Sequence, residues 1–543
     1  MLELVLAAWV QAAAQPAGAG AVGGEVGSKA CAGCHAKIYQ NYMKTGMARS
    51  SGRVGTDLYK ESFAAGEFDD AALGVKYHVS GGAAAYKMEF ARESKGVRGE
   101  RDLAWFVGSG NVGRSYLFAM DGFLFQAPVS YFSAVEKWGL SPGYAGKPLL
   151  DLARPVETAC LQCHASRLQA VTGTQNQYRE PPFLEGGISC ERCHGAGRRH
   201  VAARAAGGSL KAGEMVNPSK LDATRRDSVC EQCHLTGAAR VARAGKSAGG
   251  YRAGELLSDH LAVFVWSAGK SGERAATDHA EQLARSGCKK GAGAKLACMS
   301  CHDPHAKPGE QERVTFYRAR CMGCHETKRC TEAQERQAAK GNDCAACHMP
   351  KGRSREGEHV AYTDHAIPRR AGAAAVANGE RELKPYWPGM LSERDLAIAY
   401  AGLGVEDSGL RPKALELLEK VEPRAGGDPA VLSQLAQYYD GLGQGERAQA
   451  LYERVLKMEP GHVAAGTNVA VYWAQSGRTA EAVALWEKIA AKNPGMTSVA
   501  LNLAVAQYRA GRKESAITTL ERALRFQPDL ETARRLLGEM RAR

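Results

Sequence analysis

Seven times in this chain a Cys-x-x-Cys pair is followed at once by histidine: Cys31-Ala-Gly-Cys34-His35, Cys160-Leu-Gln-Cys163-His164, Cys190-Glu-Arg-Cys193-His194, Cys230-Glu-Gln-Cys233-His234, Cys298-Met-Ser-Cys301-His302, Cys321-Met-Gly-Cys324-His325 and Cys344-Ala-Ala-Cys347-His348. Cysteines at this spacing match the two vinyl groups of a haem, and the adjacent histidine then binds the iron from one face, so C-x-x-C-H is the attachment motif of c-type haem. Zinc ribbons and redox dithiols also use paired cysteines, but neither needs a histidine after every pair. Fourteen of the 16 cysteines stand in these motifs, so seven covalent haems are expected, with His35, His164, His194, His234, His302, His325 and His348 as proximal ligands.

The remaining histidines supply candidates for the opposite faces of the irons. His462 falls in a helical repeat, leaving His78, His200, His260, His279, His305, His359 and His365. Seven candidates for seven irons make histidine ligation on both faces arithmetically possible. Met47 rivals His78 for the first haem. His305 follows His302 by three residues, a span of at most about 10 Å, too short to wrap round a macrocycle. It is therefore expected to ligate a neighbouring haem. Cys288 and Cys330 are left over, as a disulfide or as reduced thiols.

Away from the motifs, two patterns organise the chain. Val75, Tyr77 and Val79 alternate, as do Tyr86, Met88 and Phe90, and Asp121-Gly122 separates two apolar runs as a hairpin turn would. A small β-containing insert is expected over 36–159. Near the other end, Pro460, Pro494 and Pro528 recur every 34 residues, in phase with Gly443, Gly477 and Gly511 and with Ala436, Ala470 and Ala504. Ala448, Ala482 and Ala516 keep the same period, Tyr439/Trp473 and Tyr452/Trp486 fill the larger positions, and Ala414 extends the phase upstream. This is the tetratricopeptide signature, a stack of helix pairs whose groove binds protein or peptide. The expected fold is mainly α with that small β insert: a loop-rich multihaem cytochrome c domain over 22–365, a proline-containing linker over 366–390, and an α-solenoid over 391–543.

Charge follows the motifs. The net +13 divides into 51 basic against 39 acidic residues before 391 and 20 against 19 after it. Two propionates per haem would bring roughly fourteen compensating negative charges. The basic balance therefore does not imply nucleic acid, and no basic helix or Lys/Arg block accompanies it. The apolar run Leu4–Trp9 and the small residues after it read as a secretory signal over 1–21, and haem attachment also occurs outside the cytoplasm. The expected location is the periplasm, the cell surface or beyond. No stretch reaches the length of a membrane span.

Beyond the motifs, the chain resembles the multihaem cytochromes related to the tetrahaem cytochrome c of ammonia oxidisers, in the branch fused to tetratricopeptide repeats. The resemblance rests on Gly27-Ser28, Tyr39, Thr45-Gly-Met-Ala-Arg49, Gly108-Ser-Gly110, Cys301-His-Asp-Pro-His305 and Thr363-Asp-His365-Ala-Ile-Pro-Arg369. Val112 stands where such relatives often carry a histidine, which makes the first haem the weakest site for a second ligand. The resemblance implies electron transfer in respiration or detoxification.

Two functional classes compete. One is an electron carrier with no catalytic residue, passing electrons along its haems while the solenoid docks a redox partner. The other is an oxidoreductase acting on a small nitrogen or sulfur compound at one open iron. Absence of a C-x-x-C-K motif and a full complement of spare histidines favour the carrier.

Overall fold

Alternating burial builds the first folded unit. The computed structural model describes residues 24–542 apart from 65, 83–84, 209–214, 268–277, 327–329, 355–356, 370–381 and 425–426. The signal expected over 1–21 lies outside the described residues. Strands β1 (Ser51–Arg53), β2 (Gly66–Asp70), β3 (Val75–Gly81), β4 (Tyr86–Arg92), β5 (Val97–Asp102), β6 (Trp105–Val107), β7 (Gly113–Met120), β8 (Phe123–Phe132) and β9 (Lys137–Leu140) form two antiparallel sheets. Their orders are β1-β6-β7-β8-β9 and β2-β3-β4-β5. The sheets face each other across one core. Val75, Tyr77 and Val79 from one side meet Phe118, Phe125 and Val129 from the other. Asp121 (φ 55°) and Gly122 (φ 81°) are both left-handed, the turn that matches strand twist and joins β7 to β8. The β region is thus larger than the small insert expected: it is a sandwich with its own apolar core.

The C-terminal solenoid runs through helix pairs Glu393–Glu406 and Arg411–Val421, Pro429–Gly441 and Gly445–Met458, Val463–Gln475 and Thr479–Lys492, and Thr497–Arg509 and Lys513–Phe526, closed by Glu531–Ala542. Gly443, Gly477 and Gly511 end the first helices at φ 74°, 85° and 75°, a conformation that costs glycine little. Between repeats a hydrogen bond recurs in the same phase. Glu419 accepts from the Tyr439 hydroxyl (2.9 Å), Glu453 from the Trp473 indole (3.3 Å), Glu487 from the Gln507 amide (3.1 Å) and Glu521 from Arg541 (2.5 Å).

Both ends of the solenoid are fastened to the rest of the chain. At its start, Ala397 and Tyr400 share a core with Val241, Ala262, Phe264 and Leu383. Arg394 donates to Ala242 O (2.7 Å), and Arg243 pairs with Asp395 (2.7 Å). At its end, Phe526 is buried in the core of the sandwich and its carbonyl accepts from Leu152 N (3.0 Å). The buried Asp529 carboxylate pairs with Arg92 and accepts from Leu150 N (3.1 Å). Part of the linker expected over 366–390 belongs to the folded body: Leu383–Pro385 is an edge strand on Leu261–Trp266. Pro385 sits at its terminal position, where a missing N–H is tolerated.

Candidate haem centres

The attachment motifs ride on short helices: Ser28–Ala32, Thr158–Gln162, Glu191–His194, Ala223–His234, Cys298–Cys301, Arg313–His325 and Cys344–His348. Their thiols approach one another between motifs. Cys31 donates to Cys190, Cys233 to Cys163, and Cys230 to Cys298, and these shared bonds hold each donor well above the usual thiol range. The shared bonds move the acceptors Cys163 and Cys190 down. Burial, with Cys344 beside it, pushes Cys321 up to about 11. Motif one therefore touches three, two touches four, four touches five, and six touches seven.

The donor set can be tested against haem by imidazole geometry. A metal–imidazole bond of about 2 Å, plus the distance from ring nitrogen to ring centre, sets two axial imidazoles on one iron about 6 Å apart, centre to centre. His35 and His200 lie 6.4 Å apart with their planes 21° from parallel, His194 and His305 5.8 Å and 11°, and His302 and His365 6.2 Å and 32°. Hydrogen bonds at the far ring nitrogen orient several of these imidazoles. The Nδ1 of His194 bonds Val216 O (2.8 Å), that of His348 bonds Pro368 O (3.0 Å) and that of His365 bonds Thr363 O (2.8 Å), leaving each Nε2 for a metal. The Tyr317 hydroxyl bonds the Nδ1 of His302 (3.3 Å). These residues fit a haem iron.

Other candidates fall into place differently. His279 lies between His234 (5.2 Å) and His365 (4.6 Å), closer than an iron between ligands would require, with Nδ1 of His234 and His279 3.2 Å apart. Burial, with His365, His234 and His302 around it, pushes His279 down to about 3, so the ring is neutral. His260 is buried with Nε2 on Glu255 (3.0 Å) and Nδ1 without a partner. The side chain of His359 lies outside the described residues.

At the first motif the geometry differs from expectation. His78 is fixed in strand β3 with its Nδ1 on Glu67 (3.2 Å), and His200 occupies the position opposite His35. Met47 lies in a segment pressed between other motifs: its carbonyl accepts from Ile188 N (2.9 Å), and Ser50 Oγ donates to His164 O (2.8 Å). Gly187 permits that approach, since a Cβ there would sit 2.0 Å from Ala48 O. At the second motif His164 is buried and its Nδ1 has no partner. Cys288 and Cys330 are both free, Cys288 half-buried beside the Cys301 and Cys321 thiols and Cys330 exposed.

Known families cover parts of the chain. Cytochrome c554 and c-prime matches residues 145–195, a doubled CXXCH motif 291–329, and tetratricopeptide repeats 433–497 and 474–540. No curated protein matches. Among solved structures, the chain is similar to MamA of AMB-1, at 29% identity over 28% of this chain and 85% of that one, TM-score 0.25. MamA from Desulfovibrio magneticus RS-1 matches at 21% identity over 28% and 85%, TM-score 0.26. TTC0263, a thermophilic tetratricopeptide protein of Thermus thermophilus, matches at 19% over 28% and 82%, TM-score 0.23. The family matches support cytochrome c segments with covalent c-type haem sites in one part of the chain and tetratricopeptide repeats, a protein-interaction fold, in another. Among the described residues no helix is long and apolar enough to cross a membrane.

Proposed function

We propose that the chain is an exported heptahaem cytochrome, at work in the periplasm or at the cell surface, that relays electrons through contiguous haems to a partner docked on its solenoid. The observation that carries this reading is the contact between attachment loops: Cys31 with Cys190, Cys163 with Cys233, and Cys230 with Cys298. When bound, haem iron supplies one-electron chemistry by cycling between ferric and ferrous states. The chain's residues do the rest. The paired thiols would hold each haem, the following histidine would ligate its iron, and His200, His305 and His365 would supply further ligands. His305 faces His194 rather than its own motif's His302, so one short segment, His302–His305, serves two neighbouring centres. Kinship with the tetrahaem cytochrome of ammonia oxidisers belongs to this reading.

Burial of His164 with an unpartnered ring nitrogen favours a second reading, an oxidoreductase whose exchangeable iron is at the second motif. Film voltammetry of the mature protein separates the two. The carrier gives reversible reduction and oxidation with no catalytic current on adding nitrite, hydroxylamine or sulfite. A catalytic current that disappears in His164→Ala would establish the enzyme instead.

A further inference from the structure

The same position of three attachment loops meets at one point. Arg192 is the residue before the second cysteine of the third motif, and its Nη2 donates to the carbonyl of Gln162, the equivalent residue of the second (3.2 Å). Its own carbonyl accepts from the side-chain amide of Gln232, the equivalent residue of the fourth (3.3 Å). Arg240 donates to the Gln232 carbonyl (3.2 Å), and Cys163 Sγ approaches the same oxygen (4.0 Å). The Arg192 Nε is buried without a partner. Among the described residues neither guanidinium has a carboxylate within ion-pair distance, although the charge of Arg192 also reaches Glu25.

We infer that Arg192 and Arg240 form a cationic hub at the junction of the second, third and fourth attachment loops, and that their charge raises the reduction potentials of the haems those loops hold. The inference rests on the carrier reading. Reduction removes one positive charge at an iron, so a nearby unpaired cation stabilises the reduced state. Charge–charge interactions fall with distance and with solvent screening, and this junction is half-buried. The field of Arg192 reaches Cys163, Cys193 and Cys233, one cysteine from each of the three motifs, and that of Arg240 reaches Cys163. The junction adjoins motif one through Cys190 and motif five through Cys298, so electrons entering from either side collect there.

Spectroelectrochemical titration of the full-length mature protein tests this, after intact mass has established haem on all seven motifs. Arg192→Gln keeps a donor for the Gln162 carbonyl and removes the charge; Arg192→Lys keeps the charge; Arg240→Gln removes the second cation from outside every motif. Each glutamine variant is expected to move a subset of the haems to lower potential by about tenfold in the reduction equilibrium, 59 mV for one electron. Arg192→Lys should titrate as the parent does. Where Arg192→Gln fails to mature, Arg240→Gln decides alone. Fully loaded glutamine variants that titrate as the parent, or a lysine variant that shifts as glutamine does, would overturn the hub. Parent protein lacking haem on motifs two to four would defeat the carrier reading itself.

Discussion

The solenoid and the segment carrying the last three motifs solve the same problem in opposite ways. In the solenoid, Ala436, Val469, Trp486, Leu520 and Met540 are fully buried, and each repeat packs on the next. Between 287 and 352, only Ala297 and Asp343 are buried among the described residues, and the helix Arg313–His325 buries nothing. A chain that leaves Phe316, Met322 and Cys321 only partly buried and Cys324 exposed on such a helix has little side-chain core. We propose that large apolar cofactors attached through the motif cysteines of that segment supply the missing core.

The largest effect should come from withholding haem. Full-length chain made without attachment should lose amide-exchange protection over 287–354, to the level of freely opening segments, while helices between 429 and 526 keep theirs. Equal protection in both regions would remove the contrast.

The seam between solenoid and sandwich comes next. Phe526→Ala deletes a fully buried ring from the sandwich core and should cost about 3–5 kcal/mol. Asp529→Ala leaves Arg92 buried without its partner, an effect of about 3–5 kcal/mol as well. Denaturant unfolding followed by fluorescence measures both, and near-neutral values would show that the last repeat is only loosely seated. Within the solenoid, Glu453→Ala removes one inter-repeat hydrogen bond, with a smaller expected loss of about 0.5–1.5 kcal/mol.

The smallest effect concerns the spare cysteines. Cys288→Ser with Cys330→Ser should leave non-reducing stability unchanged, because both thiols are free. A loss of about 2–5 kcal/mol would signal a disulfide.

What could be read in the sequence is what local chemistry demands. Haem attachment needs its cysteines and histidine within five residues, and a stacked repeat must return its small residues in phase, so both patterns survive in one dimension. Asp121-Gly122 announced its hairpin for the same reason. Long-range partnerships left no such trace. His200 meets His35 across the chain, while His78, nearer that motif in sequence, sits in strand β3 paired on both sides. Prolines suggested a linker over 366–390, yet Pro385 ends an edge strand. The solenoid could be read as a stack of helix pairs because its period is regular. The exception to that period was visible: Phe526 stands where earlier repeats have Met458 and Lys492, and that phenylalanine fastens the solenoid to the sandwich.

If every C-x-x-C-H motif carries a haem, and these haems supply the core between the loops, the intact mass of the denatured, fully matured protein must show it. Seven covalently bound haems are predicted. A mass corresponding to five or fewer would contradict the reading, because at least two of the loops would then have to hold their places with no cofactor to pack against.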